Sequence, residues 1–236
     1  METKVMDIRI LADLNNPDCL NGVEKFKKAL EKIDQNEIKL TYYFSPLIYC
    51  DPNIKQGIPY KEYFNLKDSK LGQDQATFFQ KRIGELQEES DKLGLNLKYR
   101  EVTDQYKLFS TIQAQRLMEW SLELKGDDLQ GKLHNKILRA NFEQGLDISD
   151  VNVLANLSEE IGIDKEQVLK FLNDKEQEPN QEQVRELAGF NIYGLQQAGG
   201  YIPSFIFSDF STLPGSATIE EFYKNILSAA SNIKHG

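Results

Sequence analysis

The chain has 236 residues, of which 40% are hydrophobic, so it can bury one substantial core or two small ones. Its net charge of −9 excludes nucleic acid as an expected partner, because the phosphate backbone would on average be repelled. The first residues carry scattered charges and no long apolar run, so we predict no signal segment and no membrane span, and expect a cytoplasmic protein. The two cysteines are too few for a disulfide framework.

The chain begins with a predicted strand, helix and second strand. Residues 5–11 alternate between apolar and polar, residues 23–33 carry apolar side chains at helical spacing, and residues 38–45 form another strand-like run. This order favours a right-handed crossover between parallel strands. We therefore expect both strands to end at the same edge of one sheet.

The first helix has a clear start signal. Pro17 suits the first helical position because it lacks only an N–H that would be unpaired there, and Asn16 suits the N-cap. Cys19 follows in the first turn. Cys50 comes after the second strand, so it is a candidate second thiol at the same edge; a loop cysteine without a special role is the alternative.

The middle of the chain reads as mostly helical. A loop-like stretch over 52–72 precedes predicted helices over 74–93, 109–125, 129–144, 150–162 and 165–173, with a short extended link at 95–100 and a polar hinge at 174–183. Beyond the hinge, the pattern predicts a helix over 182–198, a strand over 202–208 and a closing helix over 219–233. Pro203 within the strand-like run indicates an edge, a bulge or a cis bond.

Five short motifs in the same order resemble a known family. Residues 13–22 look like the Asp-x-x-Cys-Pro-x-Cys-x-x-Gly start of DsbA-like proteins, in the branch of the FrnE dithiol isomerase. Residues 114–117, 141–148, 200–205 and 215–217 resemble that branch's later motifs. Two departures fall on the chemistry, because Asn16 stands where the attacking cysteine is expected and Gln115 where a histidine is expected.

The resemblance implies an α/β fold, a thioredoxin-like sheet with a large all-helical insertion. It predicts a discontinuous thioredoxin-like domain over 1–59 and 180–236, and an insertion domain over 60–179. It also implies that the Ile202–Pro203 peptide bond is cis. Ligands of such sheets lie beyond the carboxyl ends of the strands.

The resemblance also implies where the site lies. It places catalytic chemistry at Asn16 and Cys19, and substrate binding at Pro17, Asp18, Ile202, Pro203, Arg116 and Gln115. A dithiol cycle needs one thiolate to attack and another to resolve the mixed disulfide, so Asn16 predicts weak or absent dithiol activity. We also expect Asp18 to disfavour the Cys19 thiolate.

Three functions remain open from the sequence. The first is a DsbA-like oxidoreductase or disulfide isomerase with a degenerate site. The second is a glutathione-dependent enzyme like the kappa-class transferases and 2-hydroxychromene-2-carboxylate isomerases, in which Asn16 would hold the thiol as their serine does. The third is a non-catalytic peptide-binding or adaptor protein. Arg116 would either bind a ligand carboxylate or pair with an acidic side chain.

These alternatives share their expected partners. The ligand would be a peptide or a thiol-containing small molecule, and no cofactor is expected unless glutathione binds. His134 and His235 have no neighbours at metal-ligand spacing, so no metal site is predicted. The sequence leaves the oligomeric state open.

Overall fold

The protein is described here by a computed structural model that covers residues 3–46, 57–59, 73–97, 107–176, 179–180, 182–184, 196 and 199–233. Its strands are β1 (Lys4–Ala12), β2 (Ile38–Pro46), β3 (Ile58–Pro59), β4 (Lys107–Leu108), β5 (Ser204–Phe207) and β6 (Thr212–Pro214). Its helices are α1 (Pro17–Leu30), α2 (Gln73–Leu93), α3 (Ile112–Lys125), α4 (Asp127–Arg139), α5 (Val151–Glu159), α6 (Lys165–Leu172) and α7 (Ile219–Asn232).

The central sheet has the strand order β2-β1-β5-β6. β1 and β2 are parallel, as predicted, whereas β5 runs antiparallel to both β1 and β6. A thioredoxin-like sheet is therefore assembled from the two ends of the chain. β6 was not expected from the sequence, because its three residues end in a proline and show no alternation long enough to detect.

One face of the sheet is packed by α1 and α7. Met6, Ile8 and Ile10 alternate along β1 and are all buried. Phe26 of α1 lies among aromatic rings from the sheet and from α7, with its ring centroid 5.1 Å from that of Phe205 and 5.8 Å from that of Phe222. This packing fixes α1, and hence the turn that precedes it, against the sheet.

The helical middle keeps the predicted order of helices but differs from the predicted boundaries. α3 begins at Ile112, three residues after the predicted start at 109. Just before it, Lys107–Leu108 pair with Ile58–Pro59 in a two-residue antiparallel ladder, so the predicted loop over 52–72 contains a short strand. The run predicted over 129–144 is α4 followed by a π-helical turn, Ala140–Gln144, that ends at Gly145 with φ 69°. A π-helical turn this short has no hydrophobic repeat of its own in the sequence, so the pattern could not predict it.

Some predictions fall partly outside the described residues. Only 182–184 and 196 of the helix predicted over 182–198 are described, and they are helical. The strand observed in the region predicted over 202–208 is shorter than predicted, since β5 starts after Pro203, which has no N–H for a ladder.

One continuous cluster of buried side chains includes residues of the sheet and of α3 to α6. The domain boundaries at 59/60 and 179/180 stay a prediction.

Candidate functional site

The turn between β1 and α1 is closed by local hydrogen bonds. The N–H of Asn16 donates to the carbonyl oxygen of Asp13 at 3.1 Å, and the N–H of Asn15 donates to Asp13 Oδ1 at 2.8 Å. Asn16 Oδ1 accepts from the N–H of Asp18 at 2.9 Å, with Pro17 in the first helical position. The predicted N-cap is thus confirmed, and Asn16 stands at the start of α1.

The helical insertion holds this turn through two buried asparagines. Asn15 Nδ2 donates to the carbonyl oxygen of Phe109 at 2.7 Å, and Asn141 Nδ2 donates to that of Leu14 at 2.8 Å. Sequence reasoning assigned neither asparagine a role at the site. A sequence signal existed for Asn141, since it opens the motif over residues 141–148 that resembles the DsbA-like family.

Cys19 lies beneath the turn and has no accessible surface. Its Sγ accepts a hydrogen bond from the N–H of Asp13 at 3.3 Å. Burial is the largest influence and raises the pKa of the Cys19 thiol well above its usual value; the charge of Asp13 also raises it, and that of Asp18 adds less. The sequence-based emphasis on Asp18 is therefore corrected: desolvation is the main reason why the thiolate is disfavoured.

The Ile202–Pro203 peptide bond is cis, as the resemblance implied. The Pro203 ring packs between two glycines, so a Cβ atom on Gly22 would lie 2.8 Å from Pro203 Cγ, and one on Gly215 would lie 2.3 Å from it. The N–H of Gly215 also donates to the carbonyl oxygen of Pro203 at 2.8 Å. Glycine is required at both positions because the backbone approaches the proline ring so closely.

Sheet register brings the two loops to one edge. β1 ends at Ala12, whose partner on β2 is Pro46, and β5 begins at Ser204 opposite Leu11. The Asn16 turn and the Pro203 loop therefore leave the sheet side by side. β2 ends at the same edge with Pro46. Cys50 lies outside the described residues, so its proximity to Cys19 stays a prediction.

Several hydrogen-bonding groups at this edge remain available. Within the described residues, Asn16 Nδ2 has no acceptor, and neither backbone polar group of Ile202 forms a hydrogen bond. Tyr201, next to the cis bond, is 57% exposed. The edge can thus offer an amide donor, a backbone donor and acceptor, and an aromatic surface to a ligand.

Arg116 is directed toward α6. Its side chain donates to Gln113 Oε1 at 2.7 Å and, at a longer 3.5 Å, to the carbonyl oxygens of Phe171 and Leu172 at the end of α6. The guanidinium carbon lies 5.1 Å from the centroid of the Phe171 ring, on which Trp120 stacks at 4.8 Å. These contacts favour a role in joining α3 to α6.

The other predicted residues divide by location. Asn16, Pro17, Asp18 and Cys19 share the first turn of α1, with Ile202 and Pro203 on the adjacent loop. Gln115 is buried on α3, with 5% of its surface exposed, and its ligand role stays a prediction. In the part of the chain that is described, no three His, Cys, Asp or Glu side chains converge as metal ligands, and no helix is long and apolar enough to span a membrane.

Known structures share this architecture. A probable DsbA oxidoreductase from Streptomyces coelicolor aligns with 98% of this chain and 92% of its own, at 21% identity and a TM-score of 0.74. A 2-hydroxychromene-2-carboxylate isomerase aligns over 95% of each chain at 11% identity and a TM-score of 0.59. The cytosolic disulfide reductase DsbM from Pseudomonas aeruginosa, in a structure with GSH, aligns over 94% of this chain and 98% of its own at 14% identity and a TM-score of 0.57.

Sequence comparison agrees with the fold. No protein among those with curated functions matches this sequence. The family model of the DSBA-like thioredoxin domain matches residues 7–226, which include the Asn16 turn, the whole helical middle and the Pro203 loop. The chain therefore belongs to the DsbA-like thioredoxin family.

Proposed function

We propose that this protein is a DsbA-family member of the FrnE branch that lacks dithiol exchange and uses the edge between the Asn16 turn and the Pro203 loop to bind a thiol-bearing small molecule or peptide. The observation that carries this proposal is the placement of the thiol. Cys19 is fully buried and accepts a backbone hydrogen bond, whereas the half-buried first position of the motif is an asparagine.

The chemistry of exchange explains why this placement matters. A thiolate must reach a disulfide sulfur, and a second thiol must then release the mixed disulfide. Burial raises the pKa of the Cys19 thiol and also blocks its approach to a substrate sulfur. Asn16 cannot supply the attacking group, so the described site has no group that could begin the cycle.

Insulin reduction by the protein and dithiothreitol tests this proposal. The native protein is assayed beside a Cys50→Ser parent, and both should match the uncatalysed rate; all further variants are made in this parent. We expect the parent to match the uncatalysed rate and Asn16→Cys to exceed it at least about tenfold, because a thiol at a helix N-terminus has a lowered pKa. Asn16→Ser is the matched control, since serine can also cap the helix but adds no thiol. A parent that reduces insulin as fast as Asn16→Cys, and loses this activity with Cys19→Ala, would refute the proposal.

A glutathione-dependent activity is the second candidate. Asn16 Oδ1 is occupied by the cap, while its Nδ2 is left to donate to the sulfur of a ligand. Two structures of similar fold are, by their titles, a 2-hydroxychromene-2-carboxylate isomerase and a disulfide reductase with GSH. The backbone of Ile202 could pair with an extended tripeptide. Glutathione would then be the ligand that this edge binds.

Calorimetry with reduced glutathione tests this second candidate. Asn16→Asp retains the cap oxygen but removes the amide donor, so it should weaken binding at least about tenfold, whereas Asn16→Ser should remain within about threefold of the parent. S-methylglutathione should bind more weakly than glutathione if the thiol is recognised. No binding at millimolar glutathione would remove this candidate and leave peptides to be tested as ligands.

The thiol content of the site bears on the compartment in which the protein works. We infer a reducing, cytoplasmic setting, because a site without a thiol pair has no need of an oxidising compartment. If neither dithiol turnover nor glutathione binding is found, a non-catalytic peptide-binding or adaptor role becomes the leading function. In that case, a peptide with an extended backbone should compete for the Ile202 groups.

A further inference from the structure

A cleft of about 780 Å³ lies on the side of α1 away from the turn. Its walls come from the second half of α1, the last turns of α2 and the segment that enters α7. Lys25, Lys28 and Lys32 line it from α1, at a spacing that places them on one helix face, and Lys92 lines it from α2. Ser216 contributes a hydroxyl from the segment before α7.

The charge of this cleft contrasts with that of the whole chain. It is lined by four lysines and three glutamates, a balance of +1, in a protein whose net charge is −9. Lys25 is neutralised by Glu89, with Nζ and Oε1 2.7 Å apart, and Lys32 has a longer 3.9 Å contact with Glu220. These pairs account for two of the lysines and two of the glutamates.

Two lysines in the cleft have no counter-ion. Among the described residues, no acidic side chain lies within 4.0 Å of the ammonium group of Lys28 or of Lys92, and Ser216 Oγ has no hydrogen-bond partner. Lys28 is half-buried, whereas Lys92 and Ser216 are exposed. Donors from three different segments, none with a partner in the described part of the chain, therefore line one concave space.

We propose that this cleft binds a small anionic molecule, whose phosphate or carboxylate groups would be held by Lys28, Lys92 and Ser216. The cleft is an open groove whose volume lies within the range of small-molecule sites. Lysine provides a compact charge with three donors, which suits oxyanions of either kind. The cleft shares no lining residue with the edge that carries Asn16 and Pro203, although Ser216 directly follows Gly215, which packs on Pro203. The proposal does not rest on the function proposed for that edge.

Calorimetry at low ionic strength tests the site, with inorganic pyrophosphate and tricarballylate as separate probes. Tighter binding of pyrophosphate would identify a phosphate site, and tighter binding of tricarballylate a carboxylate site. For the tighter probe, K28Q/K92Q should weaken binding at least about tenfold. The matched control is K165Q/K170Q on α6, which makes the same change in net charge outside the cleft and should alter affinity less than about twofold.

A gain-of-affinity variant makes the test independent of damage to the fold. Glu31 lines the same cleft, so Glu31→Gln should strengthen binding by about twofold to fivefold by removing a like charge from the site. Equal losses in K28Q/K92Q and K165Q/K170Q would show only a general charge effect and would overturn the proposal. Failure of both probes to bind the unmodified protein at millimolar concentration would also overturn it.

Discussion

The contact between Gly215 and Pro203 gives the sharpest test of how the site is built. In Gly215→Ala, the new Cβ atom would lie 2.3 Å from Pro203 Cγ and 2.5 Å from Cδ, whereas nonbonded carbons in contact are about 3.5–4.0 Å apart. The ring is rigid and also touches Gly22 on α1, so the overlap must be relieved by moving backbone. We expect the Pro203 loop to shift away from the start of α7.

The energetic cost follows from overpacking. Inserting a methyl group into a packed site costs about 1–3 kcal/mol. Gly84 provides the matched control, because it lies within α2, is exposed, and has no atom within 4 Å of an added Cβ. Alanine there should stabilise the protein by about 0.5–1 kcal/mol through its higher helix propensity. The two Gly→Ala changes should therefore have opposite signs.

Urea unfolding followed by circular dichroism measures both free energies. Gly215→Ala should lower the midpoint and Gly84→Ala should raise it, with unchanged denaturant slopes. Any ligand of the Asn16 edge should also bind Gly215→Ala more weakly, while Gly84→Ala leaves binding intact. Unaltered stability in Gly215→Ala would show that the ring and the glycine do not approach as closely as described, and the reasoning would fail.

Three further predictions follow from buried groups. Burial and the charge of Lys27 hold the pKa of His134 well below its usual value, so the unfolded state takes up a proton that the folded state does not. The free energy of unfolding should therefore fall by about 1.4 kcal/mol per pH unit below about pH 6.5. Between pH 7.5 and 5.5, urea unfolding should show a smaller fall for His134→Phe than for the unchanged protein. Arg116→Met should cost about 1–3 kcal/mol in urea unfolding without changing glutathione affinity; the reverse pattern would assign Arg116 to the ligand. In a Cys50→Ser background, Cys19 should react with dithionitrobenzoate only as fast as the protein opens. Asp18→Asn should not accelerate this labelling, because burial is the main cause of the low thiol reactivity; fast labelling of the native protein would contradict this.

The parts of the site that could be predicted from sequence are local. Asn16 and Pro17 form a helix start from adjacent residues, and the order of strand, helix and strand determines that β1 and β2 are parallel. Both features depend on a few neighbouring residues or on a general rule of chain connection. They were therefore predicted correctly without knowledge of the tertiary contacts.

The parts that could not be predicted depend on distant residues. The sequence shows Asp18 beside Cys19, but the pKa of the thiol is set mainly by burial, which depends on packing from other elements. The helical spacing around Arg116 likewise does not show that its guanidinium meets the last carbonyl groups of α6. In both cases, the surroundings of the side chain are made by residues that are distant in the sequence.

The contacts that shape the edge do not depend on a thiol at the position of Asn16. Asn141 holds the turn through a backbone carbonyl, and Gly22 and Gly215 hold Pro203 by close packing. None of these contacts uses a side chain at position 16, and Asn16 adds a helix cap typically worth about 1 kcal/mol. The shape of the edge thus depends on buried amides and glycines and not on the side chain at position 16. We therefore expect that Asn16→Cys alone is enough to place a reactive thiol at an edge whose shape is already formed.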